Sequence, residues 1–126
     1  MRFLLYFTLG CALLLSSCSR NHSVAGGTRG VLRRAGTGLR EVQIHVHRAG
    51  EAEPIGFGVS TEGGAFELYQ PGARGALHLT PGDYVFTLES VGPDPIPLPR
   101  ETSDPQRSPL RSTWTASDVE LELNLP

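Results

Sequence analysis

The stretch Val42-Gln43-Ile44-His45-Val46-His47 alternates an apolar residue with a polar residue over six positions. Successive side chains of a β-strand point to opposite faces, so this pattern puts one face on a core and the other toward solvent. The same period recurs from Tyr84 to Glu89 and from Val119 to Leu125. The sequence therefore predicts strands that each bury one face.

Turn signals separate these strands. Thr80-Pro81-Gly82-Asp83 joins the fixed φ of proline to a flexible glycine, and Thr61-Glu62-Gly63-Gly64 predicts a hairpin leading into a strand at Phe66 and Leu68. The chain beyond residue 18 shows no helical periodicity over ten or more residues. We predict an all-β fold, an antiparallel sandwich of about seven or eight strands.

Composition limits the function classes. The chain has 126 residues, a net charge of -2, 15 glycines and ten prolines. This charge balance argues against nucleic-acid binding, which normally needs a basic surface. The length suits a single domain rather than two.

The first 17 residues have the composition of an export signal. Arg2 precedes an apolar run of 13 residues from Phe3 to Leu15. A helix of that length is shorter than the roughly 30 Å hydrocarbon core of a membrane, but it suits the apolar part of a signal peptide.

The residues after this run resemble the lipobox of bacterial lipoproteins. In Leu15-Ser16-Ser17-Cys18, an apolar residue and two small residues precede a cysteine. The resemblance implies cleavage before Cys18, lipid on its thiol and anchoring to a membrane of the bacterial cell envelope, in a leaflet the sequence does not specify. The alternative is an ordinary secretory signal with an incidental cysteine. Because Cys11 would leave with the signal, the lipidated chain would keep no free thiol.

The rest of the chain divides into two parts. Residues 18–27 are predicted to be the lipidated cysteine and a flexible tether, and residues 28–126 a single β-sandwich domain. Within it, the segment Gly92–Pro109 holds six prolines and is predicted to be an extended surface loop. This loop is a candidate for partner binding, with a simple spacer as the alternative. Trp114 is expected to be buried.

Several motifs together resemble the carboxypeptidase regulatory-like, or transthyretin-like, β-sandwich. Ser60 to Phe66 is similar to the family's "T-x-x-G-x-F" hairpin, and Leu79-Thr80-Pro81-Gly82-Asp83-Tyr84 is similar to its "L-x-P-G-x-Y" turn. The resemblance spans about Gly30 to Leu125. It implies a sandwich of the transthyretin type that acts as a binding or structural module and not as a peptidase.

His45 and His47 are candidate metal ligands. On a strand they point to the same face, and His-x-His is a known ligand spacing. Since Val42, Ile44 and Val46 occupy the other face, both imidazoles are expected to face solvent. A third ligand would have to come from another strand, with His78 or a Glu as the candidates. The alternatives are two polar residues on a wet sheet face, or a pH-sensitive pair.

These observations favour a lipid-anchored, non-catalytic β-sandwich that binds an envelope protein or has a structural role. The sequence indicates no catalytic residues, no cofactor and no nucleic-acid partner. A small-ligand carrier with a transthyretin-like groove is the alternative, followed by a metal-binding envelope protein that uses His45 and His47.

Lipidation of Cys18 is directly testable by mass spectrometry of the N-terminal peptide from native membrane fractions. We expect a diacylglyceryl mass on Cys18, and a Cys18→Ala protein that is released or uncleaved. An unmodified chain in the soluble fraction would contradict the lipoprotein prediction.

Overall fold

The structure is a computed structural model that describes residues 25–126. In this range the chain forms eight strands: β1 (Arg29–Arg34), β2 (Thr37–Gly38), β3 (Val42–Arg48), β4 (Pro54–Val59), β5 (Ala65–Glu67), β6 (Gly82–Ser90), β7 (Arg111–Trp114) and β8 (Glu120–Leu125). Three short 3-10 turns, at Glu62–Gly64, Pro71–Ala73 and Arg100–Ser103, are the only helical elements of this range. The predicted all-β class is confirmed.

The strands form two packed sheets of four strands each. In one sheet, β1 is central: β2 and β5 pair with it on one side and β8 on the other. The second sheet has the order β4-β3-β6-β7 and is antiparallel throughout. The predicted sandwich is confirmed, but the β1–β8 pair is parallel. The chain enters β8 from the other sheet, so no hairpin imposes the antiparallel direction on it.

The alternating positions fill the space between the sheets as predicted. The central rows are fully or almost fully buried: Val42, Ile44 and Val46 on β3; Tyr84, Phe86 and Leu88 on β6; Leu121, Leu123 and Leu125 on β8. Trp114 is also buried, at 8% exposure, as expected. Val119 departs from its pattern, because it precedes β8 and is 87% exposed.

The turn predicted at Thr61–Gly64 is present, and the segments on either side of it are hydrogen-bonded to each other at Thr61–Ala65 and at Phe57–Tyr69. After β4 the chain makes a 3-10 turn in which Gly63 and Gly64 adopt positive φ values of 81° and 85°. Gly64 N–H donates to the carbonyl of Thr61 at 2.9 Å. β5 itself pairs with β1 in the other sheet, so the two sides of the predicted hairpin belong to different sheets.

The sheets meet along one side through the glycine crossing, where Gly56 and Gly58 of β4 pass the backbone of residues 67–69. Phe57 N–H donates to Tyr69 O at 3.0 Å, and Tyr69 N–H donates to Phe57 O at 2.8 Å. A Cβ atom on Gly58 would lie 2.5 Å from the carbonyl oxygen of Glu67. Only glycine therefore allows this approach, and it leaves Phe57 on the outer face of the second sheet.

The proline-rich segment is more deeply packed than a surface loop. Ile96 and Leu98 pack against the core, and Thr102 is 1% exposed. Ser108, also 1% exposed, donates its hydroxyl to the carbonyl of Phe86 on β6. The prolines keep the segment out of the sheet, as expected, but its apolar residues help to close the sandwich.

The sandwich begins at the end of the predicted tether. Gly27 N–H donates to Leu68 O at 2.9 Å, and the hydroxyl of Thr28 accepts a hydrogen bond from Leu79 N at 2.9 Å. The signal segment at residues 1–17 and Cys18 lie outside the described residues.

A methyl group in the glycine crossing should destabilise the fold. We expect Gly58→Ala to lower the free energy of unfolding by about 1–3 kcal/mol, because the new Cβ meets backbone that cannot yield without moving β5. Urea unfolding measures the change. Gly75→Ala is the matched control, since its Cβ would lie 3.8 Å from the flexible side chain of Gln70. Equal effects of the two substitutions would contradict this account.

Candidate functional site

The two candidate histidines lie on the outer face of the second sheet but in different surroundings. His47 lies opposite a β-bulge in β4, where Ile55 is the extra residue, and is 4% exposed, so the expectation that it faces solvent is wrong. The connection between β3 and β4 folds over it and places the carbonyl of Ala52 3.1 Å from its Nδ1. The hydroxyl of Thr87 on β6 lies 2.9 Å from its Nε2.

These contacts determine which ring nitrogen of neutral His47 carries the proton. A carbonyl only accepts hydrogen bonds, so Nδ1 carries the proton and Nε2 accepts from Thr87. Burial lowers the pKa of His47 below its ordinary value, and the nearby imidazole of His45 lowers it further, against the opposing effects of Ala52 and Glu53. Both ring nitrogens are occupied by partners within the protein, which makes His47 a packing residue.

His45 remains accessible. Its Nε2 lies 3.8 Å from a carboxylate oxygen of Glu89, and its side chain is 29% exposed. His78, the candidate third ligand, is exposed and lies between the partly buried Leu77 and the buried Leu79. No group of three His, Cys, Asp or Glu side chains in residues 25–126 is placed to hold a metal ion.

A first groove of about 500 Å³ lies on the outer face of the sheet that contains β1. Its polar side chains pair with one another: Arg29 Nε lies 3.6 Å from one oxygen of Glu67, and the hydroxyl of Tyr69 donates to the other at 3.4 Å. Burial and the Glu67 charge raise the pKa of Tyr69, so this hydroxyl stays protonated at neutral pH. Val59 and Glu120 also line the groove.

A second groove of about 290 Å³ lies on the outer face of the other sheet, on the opposite side of the glycine crossing. Phe57 and Pro71 supply apolar surface, and Gln43 and His45 supply polar groups. The ring of Phe57 is packed against Tyr69, with centroids 6.0 Å apart. The groove thus offers one aromatic face, flanked by the amide of Gln43 and the imidazole of His45.

The third candidate feature is the outer edge of β8. In the described part of the chain, β8 pairs only with β1. The carbonyl of Leu125 accepts from Ala35 N, so its backbone polar groups point toward β1. Since the direction of these backbone groups alternates along a strand, the N–H and C=O groups of Leu121 and Leu123 also point toward β1.

The intervening residues of β8 therefore point their backbone groups away from the sheet. The N–H and C=O groups of Glu120, Glu122 and Asn124 face the open edge, and no hydrogen bond within residues 25–126 uses them. The carbonyl of Leu32 on β1 accepts from Leu39 N on the far side, as this register requires. The sequence shows the solvent-facing acidic residues but not the open edge, since that depends on which strands pair.

Comparison with protein-family models, curated proteins and solved structures finds no match for this chain. No residue role therefore carries over from a relative. Within the described range, no helix is long and apolar enough to cross a membrane.

The burial of His47 predicts a pH-dependent stability. Its pKa is lowered in the folded state, so below neutral pH the unfolded state binds more protons. The free energy of unfolding should therefore decrease as the pH falls through the unfolded value of about 6.5, and this group should have no effect at higher pH. Urea midpoints at about pH 7.5 and about pH 5.5 measure the difference.

Two variants assign this effect to His47. His47→Gln should lose most of the pH difference, whereas His78→Gln, which changes an exposed imidazole, should retain it. The same pH difference in His47→Gln as in the unsubstituted protein would show that another group is responsible.

Proposed function

We propose that this chain is a lipid-anchored protein of the bacterial cell envelope whose β-sandwich has a non-catalytic role, either structural or in binding a protein partner. The open edge of β8 carries this proposal. The backbone N–H and C=O groups of three alternate residues, Glu120, Glu122 and Asn124, have no partner within the described range. An edge of this kind is a template for another strand.

The envelope location is supported by the sequence Leu15-Ser16-Ser17-Cys18, which lies outside the described residues. Eight residues lie between Cys18 and Gly27, which is the first of the described residues to be hydrogen-bonded into the sandwich. Even fully extended, such a stretch reaches at most about 30 Å. A lipid on Cys18 would therefore hold the sandwich close to the membrane surface.

A carboxypeptidase regulatory-like identity is part of the proposal. The sandwich is consistent with it, and the turn that resembles the family's "L-x-P-G-x-Y" motif has a clear structural role. Leu79 and Tyr84 are buried on either side of the turn, and the Tyr84 hydroxyl donates to Thr80 O at 2.6 Å. The tyrosine thereby anchors the turn into β6.

The arrangement of polar groups supports a non-catalytic role. In the first groove, Glu67 is paired with Arg29 and Tyr69. On the other face, both ring nitrogens of His47 are held by Ala52 and Thr87. Metal binding by His45 and His47 would have to break one of these two contacts and rotate a buried ring.

A small-ligand carrier is the second candidate, and the second groove favours it. Phe57 offers an aromatic face, and Gln43 and His45 flank it with polar groups. At about 290 Å³ the groove is close to the lower end of the volume of ligand pockets. A carrier would retain a small molecule through native purification and would lose it in a Phe57→Ala variant.

Site-specific photo-crosslinking in intact envelopes tests the protein-binding function. The crosslinker would replace one exposed residue at a time: Asn124 at the β8 edge, Thr113 on β7, Asp94 in the proline-rich segment and Arg74 near the second groove. We expect a discrete adduct with another envelope protein from at least one position. If none of the four positions gives an adduct and the protein retains a small molecule, the carrier function replaces this proposal.

A further inference from the structure

We propose that the open edge of β8 accepts, by strand addition, an extended segment of another envelope protein with Arg or Lys at alternate positions. This inference rests on the proposed protein-binding function and names the surface and the partner chemistry. Strand addition uses backbone hydrogen bonds for affinity and alternate side chains for specificity.

The backbone geometry specifies where the partner pairs. Glu120, Glu122 and Asn124 direct their N–H and C=O groups away from β1. At six residues, β8 is longer than β7, one edge strand of the other sheet, which has four. The other edge strand of that sheet, β4, is bridged to Tyr69 at Phe57. An added strand would make its hydrogen bonds to these three residues without disturbing the bonds between β1 and β8.

The charges at the edge specify which side chains the partner needs. Glu120 and Glu122 are exposed on the outer face of the sheet, and neither forms an ion pair with any described residue. Arg29, which is opposite Glu120 on β1, is instead within 3.6 Å of Glu67. Basic side chains on an added strand would lie next to two carboxylates that have no charged partner, and opposite charges on neighbouring strands are stabilising.

The strand already paired with β8 shows what this surface accepts. β1 has the sequence Arg-Gly-Val-Leu-Arg-Arg, with Arg29 opposite Glu120 and Arg33 opposite Asn124 on the outer face. Its inward residues Gly30 and Leu32 pack into the core beside the leucines of β8. Val31 lies opposite Glu122. A partner with this alternation of faces, but with a basic residue at the position that corresponds to Val31, would place apolar residues beside Leu121 and Leu123 and basic residues beside Glu120 and Glu122.

A second copy of this chain fits the edge less well. Its β1 has partners on both sides, and its edge strand β7 spans four residues and carries one basic side chain, Arg111. The longer edge strand that it would offer is β8, which carries none. When two β8 strands pair antiparallel, the register must place the solvent-facing residues of one strand opposite the solvent-facing residues of the other. Such registers place Glu122 opposite Glu122, opposite Glu120 or opposite Asn124, and none supplies a basic side chain.

Amide hydrogen exchange, followed by NMR on the full lipidated protein in detergent micelles, tests the edge geometry. Leu121, Leu123 and Leu125 amides should exchange slowly, because they bond to β1, whereas Glu120, Glu122 and Asn124 amides should exchange fast. The probe is a synthetic peptide that copies residues 28–35 with arginine in place of Val31, so that basic residues occupy alternate positions. Its addition should slow exchange at these three fast amides.

Substitutions at Glu122 distinguish the contribution of backbone hydrogen bonds to peptide binding from the contribution of charge. Glu122→Pro removes the outward N–H but no bond to β1, and should weaken peptide binding at least about tenfold. Glu122→Thr keeps the N–H and removes the charge, and should weaken binding about twofold to fivefold. Unchanged Trp114 fluorescence would show that both variants fold. Asn124→Pro is a second variant that removes an outward N–H group from the β8 edge.

The control peptide has glutamate in place of every arginine and should bind at least about fivefold more weakly. Equal binding of the two peptides, protection outside β8, or no binding of the basic peptide at millimolar concentration would overturn the proposal. Self-association in sedimentation that Glu122→Pro abolishes would also overturn it, since the occupant would then be a second copy.

The two proposals fail in different ways. Photo-crosslinked adducts from Thr113, Asp94 or Arg74, but not from Asn124, would leave the protein-binding function intact and refute the β8 edge as its site. The absence of adducts from all four positions would refute the binding function itself.

Discussion

The reciprocal hydrogen bonds between Phe57 and Tyr69 are the contact on which the rest of the architecture depends. They join the two sheets along one side, and they form only because Gly56 and Gly58 allow two backbones to come within reach. Any larger residue there would meet the carbonyl oxygens of Glu67 and Tyr69. The sandwich is therefore closed by backbone pairing on this side.

This closure makes the two sides of the molecule chemically different. Near the glycine crossing, backbone groups are satisfied and the surface offers two grooves separated by the Phe57–Tyr69 pair. On the far side, among residues 25–126, β8 has a partner only at β1, and its outer edge keeps three donor–acceptor pairs that no described residue uses. Binding in the second groove and strand addition are thus functions of opposite sides, whereas Glu120 belongs both to the first groove and to the β8 edge.

His45 and His47 show how tertiary packing separates residues that share a pattern. Both lie on the polar face of β3, as the alternation requires. A β-bulge and the connection to β4 bury His47 and occupy both of its ring nitrogens, whereas His45 stays accessible beside Glu89. The pair that suggests a metal site in sequence becomes one packing residue and one surface residue.

The sequence by itself determined the all-β class, the alternation that fills the core from β3, β6 and β8, the burial of Trp114 and the anchoring turn before Tyr84. These features are local, because strand periodicity and turn chemistry depend on residues close together in the chain. Only the tertiary structure decided that β5 pairs with β1, that the proline-rich segment packs on the core and that β8 leaves an edge open. Pairing is a hydrogen-bonding choice between distant backbones, and backbone groups are the same in every non-proline residue, so the amino-acid pattern does not record it.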